Sequence, residues 1–221
     1  MEKPANSALR KNLIREACVE TFTEAVRARE QGAERIELCA QLDVGGITPS
    51  YALIETVKKN LDIPVMVMIR PRGGNFCYDP MELKAMRQSI ETCKLIGVAG
   101  CVFGFLQTSG FVDEGLTREF ARLAFPLEVT FHKAIDETPD PVSSVEVLGQ
   151  IDGIKRILSS GGAETALDGA QVLNEMIRVS RNRLVIMAGG RVTNNNLEEL
   201  SGIINTNEFH GRKIVGSTEG G

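Results

Sequence analysis

Tryptophan is missing from the 221 residues, and histidine and tyrosine occur only twice each. No apolar run approaches the roughly 18 residues that a membrane-spanning helix needs. The opening MEKPANSALRKN has no apolar stretch of the kind a secretory leader carries, so the expected setting is cytoplasmic, without a membrane partner. Lys and Arg total 25 against 29 Asp and Glu, a formal charge of -4, and no basic cluster is interleaved with aromatics. The electrostatic footprint of a nucleic-acid binder is therefore missing. The five cysteines, an odd number at irregular spacings, include no C-x-x-C pair, which argues against a disulfide framework and for reduced thiols. No Pro/Ser-rich linker or low-complexity block divides the chain, so residues 1–221 read as a single domain.

What is present is alternation. Strand-like runs occur at 12–19, 35–40, 64–71, 100–106, 128–135, 156–162, 184–190 and, more weakly, 208–211. Between them lie helical periods. Leu83, Met86, Ile90, Cys93 and Gly97 are spaced by three and four, and Leu53, Ile54, Val57 and Leu61 trace another stripe. Pro49 with Ser50, and Asp79 before Pro80, are helix-start signals. Strict β-then-α order implies a parallel sheet with helical crossovers, and eight units close into a (β/α)8 TIM barrel of the α/β class. Too few residues follow Asn207 for a full eighth helix, so the last helix is expected to be short or missing. The flank beside the last strand would then lie open, which suggests a homo-oligomer, as a dimer.

In a barrel, alternate side chains point to the helices and to the interior. Val65, Val67 and Ile69 suit the helix-facing layer, which sends Met66, Met68 and Arg70 inward. The same parity turns Glu37, Cys39, Thr130 and His132 inward, and Glu16 and Cys18 share a parity. Two strands thus end in Glu-x-Cys. Cys18, Cys39, Arg70 and His132 would meet at the C-terminal mouth, where barrel enzymes build their sites, with Glu16 and Glu37 one layer deeper. A buried carboxylate needs a partner, and Arg70 is the expected one for Glu16, Glu37 or both.

The motifs RIELCAQLDVGGITPS, VMVMIRPRGGNF, VFGFL, VTFHKAID, RILSSGG, IMAGGRVTNNN and NEFHG, in this order from about residue 13 to 211, resemble the CutC family, named for copper homeostasis. The resemblance implies a cytosolic, commonly self-associating (β/α)8 barrel linked to copper handling and proposed to bind Cu(I). The family's candidate copper ligands, after the first and second strands, correspond to Cys18 and Cys39. This chain departs from the motifs at Lys133 and Ile135, where Arg and Phe are usual, and at Arg191, where a third glycine is usual. Family members also usually continue well beyond the FHG motif.

Two functions follow. Thiolates prefer Cu(I), and equivalent cysteines on strands about 4.8 Å apart could share one ion, making this a copper-binding homeostasis protein. Alternatively, it is an enzyme acting on a small phosphorylated or carboxylated metabolite, with Glu37, Arg70 and His132 as catalytic groups. An anion site could then use Arg72 and the turn glycines Gly161, Gly162, Gly189 and Gly190. The plainer readings are that Cys77, Cys93 and Cys101 are small buried hydrophobes, that His132 is a structural hydrogen-bonded residue, that Asp136 caps a turn, and that the glycines only shape tight turns.

Overall fold

The computed structural model describes residues 13–218. Eight parallel strands close on themselves in sequence order: β1 (Ile14–Val19), β2 (Arg35–Leu38), β3 (Val65–Met68), β4 (Gly100–Phe103), β5 (Glu128–Phe131), β6 (Ile154–Ser159), β7 (Val185–Ala188) and β8 (Glu208–Gly211). Seven α-helices cover them among the described residues: α1 (Phe22–Glu30), α2 (Tyr51–Asn60), α3 (Pro80–Ile96), α4 (Glu114–Ala124), α5 (Pro141–Leu148), α6 (Ala170–Ser180) and α7 (Leu197–Ile203). The expected TIM barrel is present. Asn12, placed in the first strand by the sequence pattern, and the last three residues lie outside the described residues. No helix among the described residues is long and apolar enough to cross a membrane.

The helix starts follow from local chemistry. Thr21 and Glu24 form a capping box on α1, and Asp79 and Glu82 form another on α3, with Pro80 in the first turn. These side chains satisfy amide donors that the first helical turn leaves unpaired. Ser50 caps α2, and α3 stops at Gly97, whose φ of 76° lies in the left-handed region that glycine enters without steric cost. The helix-facing strand residues Ile36, Leu38, Val65, Val67, Ile157 and Ile186 merge with the buried helix faces into one core. Inside the barrel, Met66, Met68 and Val102 pack with Cys18 and Cys39 in a separate small cluster.

Among the described residues the last helix is missing as expected, but the flank beside β8 is not left bare. No helix follows β8 among the described residues, yet Phe209 on its outer face is fully buried. Residues 212–218 follow β8 without forming a helix and turn at Arg212 and Val215. Arg27 and Gln31 of α1 donate to the carbonyls of Thr218 and Ser217, and Ile214 and Thr218 are buried. The barrel's own chain covers the gap that was expected to invite a partner subunit.

Candidate functional site

Strand register brings the first acidic and thiol groups together. Cys18 of β1 sits opposite Glu37 of β2, and Glu16 of β1 lies between Arg35 of β2 and His210 of β8. At the rim, the Cys18 sulfur is 3.2 Å from Glu37 Oε2 and 3.9 Å from the Cys39 sulfur, and Cys39 is 3.4 Å from the same Glu37 oxygen. All three side chains are buried. His210 bridges to the layer below, its Nδ1 lying 2.9 Å from Glu16 Oε1 and its Nε2 3.7 Å from Glu37 Oε2. Two overlapping groups, Cys18–Glu37–Cys39 and Glu16–Glu37–His210, hold their potential ligand atoms within 4.8 Å of one another.

The charges in this cluster depend on each other. The hydrogen bond with Cys39 is the largest influence on Cys18; against the opposing effect of burial, and helped by His210 and Glu37, it lowers the Cys18 thiol to about 5. The same hydrogen bond, reinforced by burial, pushes Cys39 well up. Burial raises the Glu37 carboxyl well above the usual range, with the His210 charge opposing and the charges of Cys18 and Glu16 adding to it. Burial disfavours a charged His210, but the Glu37 charge and hydrogen bonds to Cys18 and Glu16 outweigh it and hold the ring protonated. Cys18 and Glu37 therefore compete for one proton, because two adjacent buried anions would repel in a low-dielectric setting.

Arg70 is not the counter-ion of this cluster. The partner of Glu16 is Arg35, which donates from Nε to Glu16 and from Nη2 to Glu208 at 2.5 Å. Arg156 continues the chain, donating to Glu208 at 2.8 Å and to Glu128 at 2.5 Å. This ionic layer closes the interior beneath the sulfurs. Arg70 instead donates to the carbonyls of Gly45 at 3.2 Å and Gly74 at 2.6 Å, and its guanidinium stacks 4.6 Å from the Phe76 ring. Loop carbonyls from two segments reach it first. Arg35 and His210 were the residues overlooked. Arg35 precedes Glu37 by two and so shares its inward parity, a signal that was available. His210 lies in the weakest strand pattern, and only barrel closure puts it beside Glu16.

Above the sulfurs is a cavity of about 160 Å³. Cys18, Glu37, Arg70, His132, Lys133 and His210 give it polar groups, and Leu42, Met68, Phe76 and Leu158 give it apolar wall. His132 is buried, and its Nδ1 accepts the amide N–H of Ala134 at 3.3 Å. The expected anion-binding groups sit elsewhere and are engaged. Arg72 is held by Glu82 at 2.6 Å. The turn after β6 is filled by the Asp136 carboxylate, which accepts from the amides of Ser160 and Gly162, both at 3.0 Å, and from the hydroxyls of Ser159 and Ser160. Gly189 donates its amide to Ser159, and an added Cβ at Gly190 would meet the Ser160 side chain at 2.8 Å.

The model of the CutC family matches residues 13–215, nearly the whole described barrel. The chain belongs to the CutC family. It is 41% identical over 197 residues to a human protein named copper homeostasis protein cutC homolog, covering 89% of this chain and 72% of that protein. A family protein CutC from Histophilus somni is 40% identical over 195 residues, 88% of this chain and 80% of the other. The crystal structure of a CutC from Streptococcus agalactiae, titled a copper homeostasis protein, superposes with a TM-score of 0.87 at 32% identity, over 91% of this chain and 99% of that one. Dihydrodipicolinate synthase DapA-2 from Bacillus anthracis, at a TM-score of 0.63 and 14% identity, shares the fold alone.

Two departures from the usual CutC motifs now have places. Lys133 lines the cavity, half-exposed and 3.6 Å from Asp136. Arg191, where a third glycine is usual, is held at φ 53°. That left-handed conformation suits glycine and strains a larger residue, and Arg191 is tied to Glu164 by an ion pair.

Proposed function

We propose that this CutC chain binds one Cu(I) ion as cargo between the sulfurs of Cys18 and Cys39, with Glu37 and His210 beside it, in a reducing cytoplasm. The observation that carries the reading is the 3.9 Å separation of two buried sulfurs contributed by adjacent strands. Metal–sulfur bonds of about 2.3 Å would span that gap at roughly 115°, a bent arrangement that leaves room for a third ligand. Soft sulfur donors favour Cu(I) over harder ions. Cys18 faces Glu37 in the register, so Cys39 lies two residues further along the neighbouring strand. That places the two Cα atoms roughly 8 Å apart, beyond the roughly 7 Å reach of a disulfide. The pair suits a shared ion better than an oxidised bridge, and copper homeostasis in the names of the relatives agrees with this.

An enzyme acting on a phosphorylated or carboxylated metabolite has less support. The guanidinium of Arg72 and the amide of Gly162 are occupied by protein carboxylates, and Arg70 is held by loop carbonyls. The copper reading is tested by anaerobic Cu(I) titration against a competing chelator, using wild type, Cys18→Ser, Cys39→Ser and the double variant. One tight equivalent in wild type, weakened in each single variant and lost in the double, is the expected result. Undiminished affinity in the double variant would refute it.

A further inference from the structure

Among the described residues, His132 Nε2, Glu37 Oε1 and Arg70 Nε are buried polar atoms without a hydrogen-bond partner, and all three residues line the same cavity. Leaving such groups unpaired is costly, and their grouping around one space marks a place for a ligand.

The backbone decides what His132 offers. An amide N–H can only donate, so the bond from Ala134 requires a lone pair on Nδ1. The ring is then neutral, and its proton sits on Nε2, a buried donor without a protein partner on a residue that lines the cavity. Its surroundings hold this state. The ring packs 4.7 Å from Phe76 and against Phe131, and Gly104 gives it room, since a Cβ there would lie 2.6 Å from Nδ1. Burial and then the charge of Arg70 drive the imidazole down to about 3, against an ordinary 6.5.

The residues lining the cavity thus bring one neutral donor at His132, the unpartnered N–H at Arg70 Nε, one unpartnered oxygen at Glu37, and apolar wall from Leu42, Met68, Phe76 and Leu158. Its volume of about 160 Å³ equals roughly five waters at about 30 Å³ each. A dianionic phosphate would meet two unpartnered buried donors, His132 Nε2–H and Arg70 Nε–H, because the other nitrogens of Arg70 are held by loop carbonyls and Lys133 faces Asp136 at 3.6 Å.

We propose that this cavity binds a small uncharged α-hydroxycarbonyl compound, its carbonyl oxygen accepting from His132 Nε2–H and its hydroxyl donating to Glu37 Oε1. The Cys18–Cys39 sulfur pair contacts the other oxygen of Glu37, so the copper reading and this one stand or fall separately.

The test is a saturation-transfer NMR titration of the metal-free full chain with hydroxyacetone, alongside 1,2-propanediol and dihydroxyacetone phosphate. Hydroxyacetone is expected to saturate, with the diol weaker by about tenfold for the lost acceptor and the phosphate ester no tighter than hydroxyacetone. Nitrogen-15 spectra should show His132 with its proton on Nε2 at neutral pH, and that signal should shift on binding. His132→Asn keeps an acceptor for Ala134 but lacks the distal N–H, and should weaken binding by about tenfold. His132→Gln, which can place an amide N–H near the same point, should restore it. An imidazolium or an Nδ1 proton, equal binding of ketone and diol, tighter binding of the phosphate, or no saturable binding would each overturn the proposal.

Discussion

Replacing Arg35 with methionine would remove the guanidinium that lies between Glu16 and Glu208 in the barrel floor. Both carboxylates are buried, so the variant keeps desolvated charge with one counter-ion removed, Glu16 retaining His210 and Glu208 retaining Arg156. Breaking a buried pair from one side costs about 3–5 kcal/mol. A second route bounds the share that falls on Glu16, which Arg35 divides with His210. Burial raises the Glu16 carboxyl, but His210 and Arg35 outweigh it and bring it down to about 2 from an ordinary 4.5. A carboxyl lowered that far contributes about 3 kcal/mol at neutral pH. The contribution is present above the unfolded-state value and is lost as pH falls through 4.5 towards 2. Urea denaturation of Arg35→Met at neutral pH should therefore show a loss of about 3–5 kcal/mol, and a melting temperature lower by roughly 6–20 °C. Adding Glu16→Gln should recover part of the loss, because the uncompensated charge is then gone. The acid limb of the stability curve should also flatten in Arg35→Met. Stability within about 1 kcal/mol of wild type, below the usual cost of orphaning a buried charge, would refute this account of the floor.

Three further outcomes are expected. The neutral state of His132 makes folding less favourable as pH falls from 6.5 towards about 3, because the unfolded chain takes up a proton that the folded ring refuses; His132→Asn should remove that part of the slope in denaturation measured across this range. Gly104→Ala puts a Cβ 2.6 Å from the His132 ring, so it should lose about 1–3 kcal/mol in urea melts and move the His132 ring signals in NMR. Asp136→Ala strips the amides of Ser160 and Gly162 of their acceptor; it should cost about 1–3 kcal/mol, with faster amide exchange localised to residues 160–162.

The barrel was legible because eight buried parallel strands separated by amphipathic helices leave a local signature every few residues. Helix starts at Ser50 and Asp79 were equally readable, since a cap acts within one turn of itself. Side-chain parity also sent Cys18, Cys39, Arg70 and His132 to the mouth; Cys18, Arg70 and His132 line one cavity there, joined by Glu37, which was expected a layer deeper but sits level with Cys18. Their partners were not legible. Arg70 and Arg35 both point inward, and which guanidinium meets Glu16 depends on the height of each strand in the closed sheet. The register opposes Glu16 to Arg35 on one side and to His210 on the other, while Arg70 ends higher, among loop carbonyls. The turn at Gly161–Gly162 reads as an anion cradle until Asp136, from the preceding βα loop, is found filling it.

By itself the sequence determined the alternation of elements, the inward faces of the strands that carry Glu37, Arg70 and His132, the kinship with CutC and the two thiols at neighbouring strand ends, since all of these rest on periods of two or 3.6 residues or on contiguous motifs. Only the tertiary structure decided the 3.9 Å between those sulfurs, the ionic floor of Glu16, Arg35, Glu208 and Arg156, the tautomer of His132 and the segment that covers β8. Those features depend on shear between strands and on contacts between residues as far as 191 positions apart, and no local pattern encodes such distances.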